Sequence, residues 1–155
     1  MPSLTTIKHL AIAGLAAEIL FEFYAWIISP VLFGVTLQPS NLVIALTKIA
    51  TGVTLPHAGA FVLHFLIGAF GFVAFVYLTK MVTKLGYIAS GFVSGLALWF
   101  IAQGILAPVV GRTFMMGFGT YTQSSFVGHV GMTLIAAVIW RALDGRRAVA
   151  TPQAI

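Results

Sequence analysis

The stretch LAIAGLAAEILFEFYAWII, residues 10–28, decides the fold. Its 19 residues carry no charge except at Glu18 and Glu22, and about 20 apolar residues suffice to cross a bilayer core of about 30 Å. The stretch therefore predicts a transmembrane helix. Ionisable side chains in such helices usually face the bundle interior or a water-filled cavity, because hydrocarbon disfavours charge. Glu18 and Glu22 lie one helical turn apart, so they mark a candidate site.

The composition of the whole chain agrees with this prediction. Of 155 residues, 60% are hydrophobic and 7% are charged, whereas soluble domains have roughly 25% charged residues. Four windows are long and apolar enough to span a membrane: Leu10 to about Phe33, Pro56 to Thr79, Tyr87 to about Val110, and Phe126 to Ala142. We therefore predict an all-α integral membrane four-helix bundle, a single four-span domain over residues 1–147, followed by a cytoplasmic tail over 148–155.

The basic residues indicate the orientation of this bundle. The net charge is +5, but the charges are spread over the ends of the spans rather than gathered on one face, which argues against a nucleic-acid partner. Six of the eight basic residues fall on one side of the predicted membrane: Lys8, Lys80, Lys84, Arg141, Arg146 and Arg147. The positive-inside rule predicts that this side, with both termini, is cytoplasmic. The absence of cysteine excludes disulfides and thiolate metal sites.

The segment between the first two spans has signals of its own. Span one is predicted to end near Ser29-Pro30, because the residue before a proline is disfavoured in the helical conformation. Pro39-Ser40-Asn41 is a helix-start signal and Thr51-Gly52 a stop signal. They predict a short helix over Leu42 to Ala50 at the outer membrane interface.

Small residues predict where the helices pack. Span three carries two overlapping small-xxx-small pairs, which let helix backbones approach closely: Ser90, Gly91, Ser94 and Gly95. The tryptophans lie mostly near predicted membrane interfaces and are interpreted as an aromatic belt: Trp26, Trp99 and Trp140.

The two halves of the chain show a weak repeat. The motif at residues 30–34 corresponds to that at 108–111, and Phe61-Val62-Leu63-His64 corresponds to Phe126-Val127-Gly128-His129. Each half would be a helical hairpin, and the two hairpins would be related by a pseudo-two-fold axis along the membrane normal.

Polar side chains from all four spans fall in the outer half of the predicted membrane. Glu22 and His64 share a level about 12 Å from the outer edge, and Gln103 and His129 lie about 5 to 8 Å deep. Apolar surroundings disfavour the charged form of both carboxyl and imidazole, whereas pairing favours it, so such groups can exchange protons near neutrality. We predict that Gln103 lines a cavity and that four side chains bind or relay protons: Glu18, Glu22, His64 and His129. The alternative is that the histidines and Gln103 make plain interhelical hydrogen bonds.

Several motifs resemble the YagU-like family of bacterial inner-membrane proteins. They are His64, residues 90–95 and 108–111, residues 126–129, and the basic segment 140–147. The resemblance covers residues 56–147 and implies a multi-pass protein of the bacterial inner membrane that is associated with survival of acid stress, without an established substrate. The sequence departs from the family pattern at Gln103, where the family has a histidine, and in a shorter, proline-poor segment after span one.

The sequence supports three functional hypotheses. The first is a proton-responsive protein, either a proton-coupled carrier of a small solute or an acid-stress factor. The second is a redox subunit in which His64 and His129 hold a b-type haem. The third is an accessory subunit of a larger membrane complex or a homo-oligomer. No catalytic residues are predicted, because Ser-His-Asp, phosphate-loop and HExxH signatures are absent. The ligand types of Glu18, Glu22 and His64 would allow a hard-metal site. A helix bundle with so few donors disfavours one, so no metal site is predicted.

Overall fold

The computed structural model describes residues 2–150, and within them the chain is helical throughout, without strands. Five α-helices make up the fold, with a short 3-10 segment, Phe114–Phe118, before the last: α1, Leu4–Phe33; α2, Ser40–Thr51; α3, His57–Thr83; α4, Tyr87–Val109; and α5, Thr120–Ala150. Helices α1, α3, α4 and α5 are long and apolar enough to cross a membrane. The prediction of four long apolar helices in an all-α protein is thus confirmed. Residues 151–155 of the predicted tail, and the side chains of Arg146 and Arg147, lie outside the described residues.

The helix ends are set by local capping rather than by hydrophobicity. The hydroxyl of Ser3 accepts a hydrogen bond from the backbone of Thr6 at 3.1 Å, which starts α1 six residues before the predicted span. Gly34 and Gly52 end α1 and α2 with φ of 68° and 75°. Glycine adopts this left-handed conformation without steric cost. The predicted short helix between spans one and two is therefore confirmed as α2, with slightly wider bounds.

Three of the long helices each contain one wide turn, in which backbone hydrogen bonds reach five residues along the chain instead of four: Tyr24–Ile28, Ile67–Phe72 and Ile101–Leu106. Two of these turns end two residues before a proline, Pro30 in α1 and Pro108 in α4. A proline lacks the backbone N–H and crowds the carbonyl four residues earlier, and the wide turn relieves both problems. The end predicted near Ser29-Pro30 is therefore wrong, because α1 continues to Phe33, where the predicted apolar window also ends.

The four long helices form a ring. Helix α1 packs against α3 and α5, and α4 packs against the same two helices from the other side. At Gly14, an added Cβ would overlap the carbonyl of Ala69 and lie 2.9 Å from Val73, so α1 and α3 are in backbone contact. Gly68 lies on the same α3 surface. Close approach of this kind is what small residues permit between apolar helices.

The α4 and α5 interface uses the small residues of the predicted packing face. A Cβ at Gly91 would lie 2.8 Å from the carbonyl of Thr133, and one at Gly95 would lie 2.6 Å from the Cα of Val130. Ser90 and Ser94 are fully buried beside them. This face leaves no room for a larger residue at either glycine.

Polar contacts join four helix ends at one end of the bundle. Nδ1 of His9 lies 2.6 Å from Oδ1 of Asp144, and the hydroxyl of Tyr87 donates to Oδ2 of the same carboxylate at 2.8 Å. The ammonium of Lys80 lies 4.6 Å from the centre of the Tyr87 ring. We call this group the basic end and the opposite end the α2 end. Trp140 is buried against Tyr87, with ring centres 4.7 Å apart, so its predicted place in an aromatic belt is wrong.

Candidate functional site

Two carboxyl groups from α1 and one imidazole from α3 meet inside the bundle. Nδ1 of His64 lies 3.5 Å from Oε1 of Glu18 and 3.6 Å from Oε1 of Glu22. One potential ligand atom from each residue lies within 4.8 Å of the other two. Glu18 and Glu22 reach the same imidazole because residues four apart share one face of a helix. We call these three residues the Glu/His cluster.

Glu18 is the innermost member of the cluster. Its side chain is fully buried, whereas 14% of the side-chain surface of Glu22 and of His64 is exposed. Gly68 of α3 creates the space for the Glu18 carboxyl group: a Cβ there would lie 2.6 Å from Oε1 and would overlap Oε2. A larger residue at position 68 would displace the Glu18 carboxyl group from this position.

Most polar atoms of the cluster have no hydrogen-bond partner among the described residues. These atoms are both carboxyl oxygens of Glu18, Oε1 of Glu22 and Nδ1 of His64. The exception is Oε2 of Glu22, which accepts a hydrogen bond from Nε1 of Trp26 at 2.9 Å. Separations of 3.5 and 3.6 Å are too long for hydrogen bonds. Because buried polar atoms are normally paired, this arrangement has room chemically for a shared proton, water or a cation between its members.

A cavity of about 250 Å³ adjoins the cluster at the α2 end. Helix α2 covers it with the apolar side chains of Leu42, Val43 and Leu46. The polar side chains of the wall come from α1, α3, α4, α5 and the loop before α5: Glu18, His64, Gln103, Arg112, Tyr121, Ser125 and His129. Arg112, which is always charged, also lines this wall.

His129 lines the cavity but does not belong to the Glu/His cluster. Its Nδ1 atom lies 2.8 Å from the backbone carbonyl oxygen of Ser125, one turn earlier in α5. A carbonyl oxygen only accepts hydrogen bonds, so Nδ1 carries the proton and the neutral ring keeps its lone pair on Nε2. The ring packs against Phe72 of α3, with centres 5.5 Å apart. This histidine is therefore held in one tautomer and orientation.

Gln103 takes part in a hydrogen-bonded bridge between α4 and α5. Its Nε2 donates to the hydroxyl of Ser125 at 3.1 Å, and the hydroxyl of Thr122 donates to its Oε1 at 3.3 Å. The amide thus lines the cavity and also makes the interhelical contact that the sequence left open as the alternative. The wide turn at residues 101–106 carries this side chain.

A second polar network joins α1 and α5 near the same end. The hydroxyl of Tyr24 lies 2.9 Å from the hydroxyl of Ser124, which in turn lies 2.6 Å from that of Ser29. Ser29 also donates to the carbonyl of Val35 at 2.6 Å. Ser29 and Ser124 are fully buried, so this network fixes the α2 end of α1 against α5.

The structure thus brings Glu18, Glu22 and His64 into one cluster and places His129 and Gln103 on the adjoining cavity wall. Arg112 and Ser125 were not predicted from the sequence. Ser125 could have been found, because it lies four residues before His129 and shares its helix face. Arg112 follows a left-handed Gly111 in the loop after α4, and no sequence pattern indicates that this loop closes over the cavity.

Comparisons of the chain with protein-family models, curated proteins and solved structures gave no match. The resemblance to the YagU-like family therefore rests on the motifs of residues 56–147 and stays a prediction.

Proposed function

We propose that the chain is a small multi-pass membrane protein that responds to protons, as a proton-coupled carrier of a small solute or as an acid-stress factor. One observation carries the proposal: both carboxyl oxygens of Glu18 and Oε1 of Glu22 lie near one imidazole and have no hydrogen-bond partner among the described residues. Two carboxylates this close repel each other, and low dielectric strengthens the repulsion. Uptake of a proton by the cluster relieves this repulsion. The number of protons that the cluster holds therefore depends on external pH.

Membrane insertion fits the surface of the bundle. Large apolar side chains are exposed all along the long helices, among them Ile19, Val62, Phe92 and Val138. Such a surface is suited to lipid rather than water. The basic end would lie on the cytoplasmic side of a bacterial inner membrane, with the termini, and the α2 end on the outer side. The cavity would then be reached from the outside, where pH varies most.

The wide turns support the proposed pseudo-repeat of two hairpins. In α1 and in α4 a wide turn ends two residues before a proline, at Pro30 and Pro108. The ring order α1, α3, α4, α5 is the one that a two-fold axis between hairpins produces. A common ancestral hairpin with this turn explains both observations.

The size of the cavity favours a small occupant. Its volume of about 250 Å³ lies below the range of about 300–1,000 Å³ found for pockets that hold drug-sized ligands. An ion, water molecules or a small solute fit this space better than a porphyrin. The hypothesis of a haem held by His64 and His129 predicts a Soret band in the purified protein, and a colourless sample would remove it.

The proposal can be tested by the fluorescence of Trp26 in a Trp99→Phe and Trp140→Phe background, because the Trp26 indole donates to Glu22 and so reports the state of that carboxyl group. Protein reconstituted in vesicles is titrated with acid, and proton entry is followed with an enclosed pH-sensitive dye. We expect Glu18→Gln and Glu22→Gln to abolish the pH-dependent change and any proton-coupled flux. Asp144→Asn is the matched control, since it alters the third acidic residue at the basic end. Unchanged responses in both cluster variants would contradict the proposal.

A further inference from the structure

We infer that the Glu/His cluster binds one divalent transition-metal ion, of the class of Mn²⁺, Fe²⁺ and Zn²⁺. The ligands are one carboxyl oxygen each from Glu18 and Glu22 and Nδ1 of His64. Metal binding at the Glu/His cluster does not depend on the proposed function. Only transport of the bound ion, as the solute that the protein carries, would rest on it. Binding itself follows from the geometry and chemistry of the three donors.

The distances between the donor atoms match those around a bound ion. Metal–nitrogen and metal–oxygen bonds of about 2.1 Å at tetrahedral angles separate two donors by about 3.4 Å. Nδ1 of His64 lies 3.5 Å from the Glu18 oxygen and 3.6 Å from the Glu22 oxygen. All three atoms lie within 4.8 Å of one another, so a small shift of the Glu22 carboxyl group toward that of Glu18 would complete the set.

The burial of Glu18 is an independent observation that points to a cation. The side chain has no exposed surface, and neither carboxyl oxygen has a hydrogen-bond partner among the described residues. An isolated carboxylate in such a place is very unfavourable. A divalent cation cancels the charge of the two carboxylates and satisfies one free oxygen of each, while the imidazole stays neutral. Gly68 keeps this space open next to Glu18.

The donor types select the class of ion. Mg²⁺ and Ca²⁺ prefer sites made entirely of oxygen, whereas one imidazole with two carboxylates suits borderline ions such as Mn²⁺, Fe²⁺ and Zn²⁺. The chain has no cysteine, so a thiolate site for softer ions is excluded. Three protein ligands leave a coordination position open for water or solute, and Glu18 and His64 both line the cavity. The hydrogen bond from Trp26 orients Glu22 as outer contacts orient ligands in metal sites.

Metal binding is tested on purified, tag-free full-length protein in detergent. The protein is equilibrated with Zn²⁺ in the presence of excess Mg²⁺ at fixed pH, and bound zinc is measured after dialysis. We expect one Zn²⁺ per chain, and a loss of affinity greater than about 100-fold for Glu18→Gln, Glu22→Gln and His64→Gln, since losing groups that only orient ligands costs 10- to 100-fold. The matched control is His57→Gln, because His57 is exposed at the start of α3. It should bind zinc like the unaltered protein.

A second measurement guards against variants that do not fold. Co²⁺ added to the unaltered protein should give visible absorption typical of coordination by few ligands, and Zn²⁺ should displace it. Absence of bound zinc and of this absorption, or equal zinc binding by the protein and by folded Glu22→Gln, would overturn the inference. If zinc does not bind but the pH response persists, the metal site fails and the proposed function stands. If zinc binds without any pH response or flux, the site stands and the proposed function fails.

Discussion

Replacing Gly68 by alanine tests how tightly the bundle is built around Glu18. The new Cβ would lie 2.6 Å from Oε1 of Glu18 and overlap Oε2, so the carboxyl group must move by about 1 Å to reach ordinary contact distance. Overpacking of this kind destabilises proteins by about 1–3 kcal/mol. Alanine also gains about 1 kcal/mol over glycine in a helix, which offsets part of the loss.

Gly71→Ala is the matched control, because Gly71 lies one turn along the same helix and its Cβ would meet only Ile67 at 3.7 Å. The gain in helix propensity is common to both variants, so the difference between them isolates the overpacking. We expect Gly68→Ala to be less stable than Gly71→Ala by about 1–3 kcal/mol in thermal denaturation of detergent-purified protein. In a Glu18→Ala background this difference should largely vanish, since the clashing carboxyl is gone. Equal melting temperatures of the two single variants would refute the described position of Glu18.

Three further outcomes test other parts of the fold. Gly95→Ala should destabilise the protein by about 1–3 kcal/mol, because its Cβ would lie 2.6 Å from α5. Gly131→Ala should not, because no atom lies within 4 Å of its Cβ. Equal melting temperatures of the two variants would contradict the described interface. Tyr24→Phe should cost about 0.5–1.5 kcal/mol in the same assay by removing the hydroxyl bonded to Ser124, and no change would mean that this bond is not formed. Lys84→Gly should raise stability by about 1 kcal/mol, since the residue has φ of 61° at the end of α3, and Lys84→Ala should lack this gain.

The number and type of the long helices could be predicted from the sequence, because four apolar runs separated by turn signals leave few alternatives. Their ends could not. Helix α5 begins at Thr120 rather than Phe126, since the polar residues of its first turns are helical and bond to α4 and α1. Hydropathy measures the cost of removing water from side chains and carries no information on where backbone hydrogen bonds begin. The end predicted near Pro30 was wrong because a wide turn accommodates the proline within the helix.

The composition of the site was partly predictable. The spacing of Glu18 and Glu22 and the depth of His64 indicated which side chains share a level, since depth follows from the rise per residue. The rotation of each helix about its own axis was not predictable. Apolar residues occur on all faces of these helices, so no polar face shows which side points inward. The sequence placed Glu22 at the level of His64, whereas the structure brings Glu18 to the same imidazole, at the buried centre, and places Glu22 beside Trp26. The cover of the cavity by α2 and Arg112 could not be predicted, because it depends on how α2 and the loop after α4 pack on the long helices.

The wide turn at residues 101–106 has a consequence for protein engineering. Such a turn contains one residue more than a regular helix of equal length, so it behaves as a tolerated single-residue insertion. Excising Gly104 should restore regular winding inside the turn and leave the parts of α4 on either side of it in their present helical phase. The deletion would change the direction of the Gln103 side chain while the residue stays a glutamine. A substitution at position 103 cannot do this, because it changes the side chain itself.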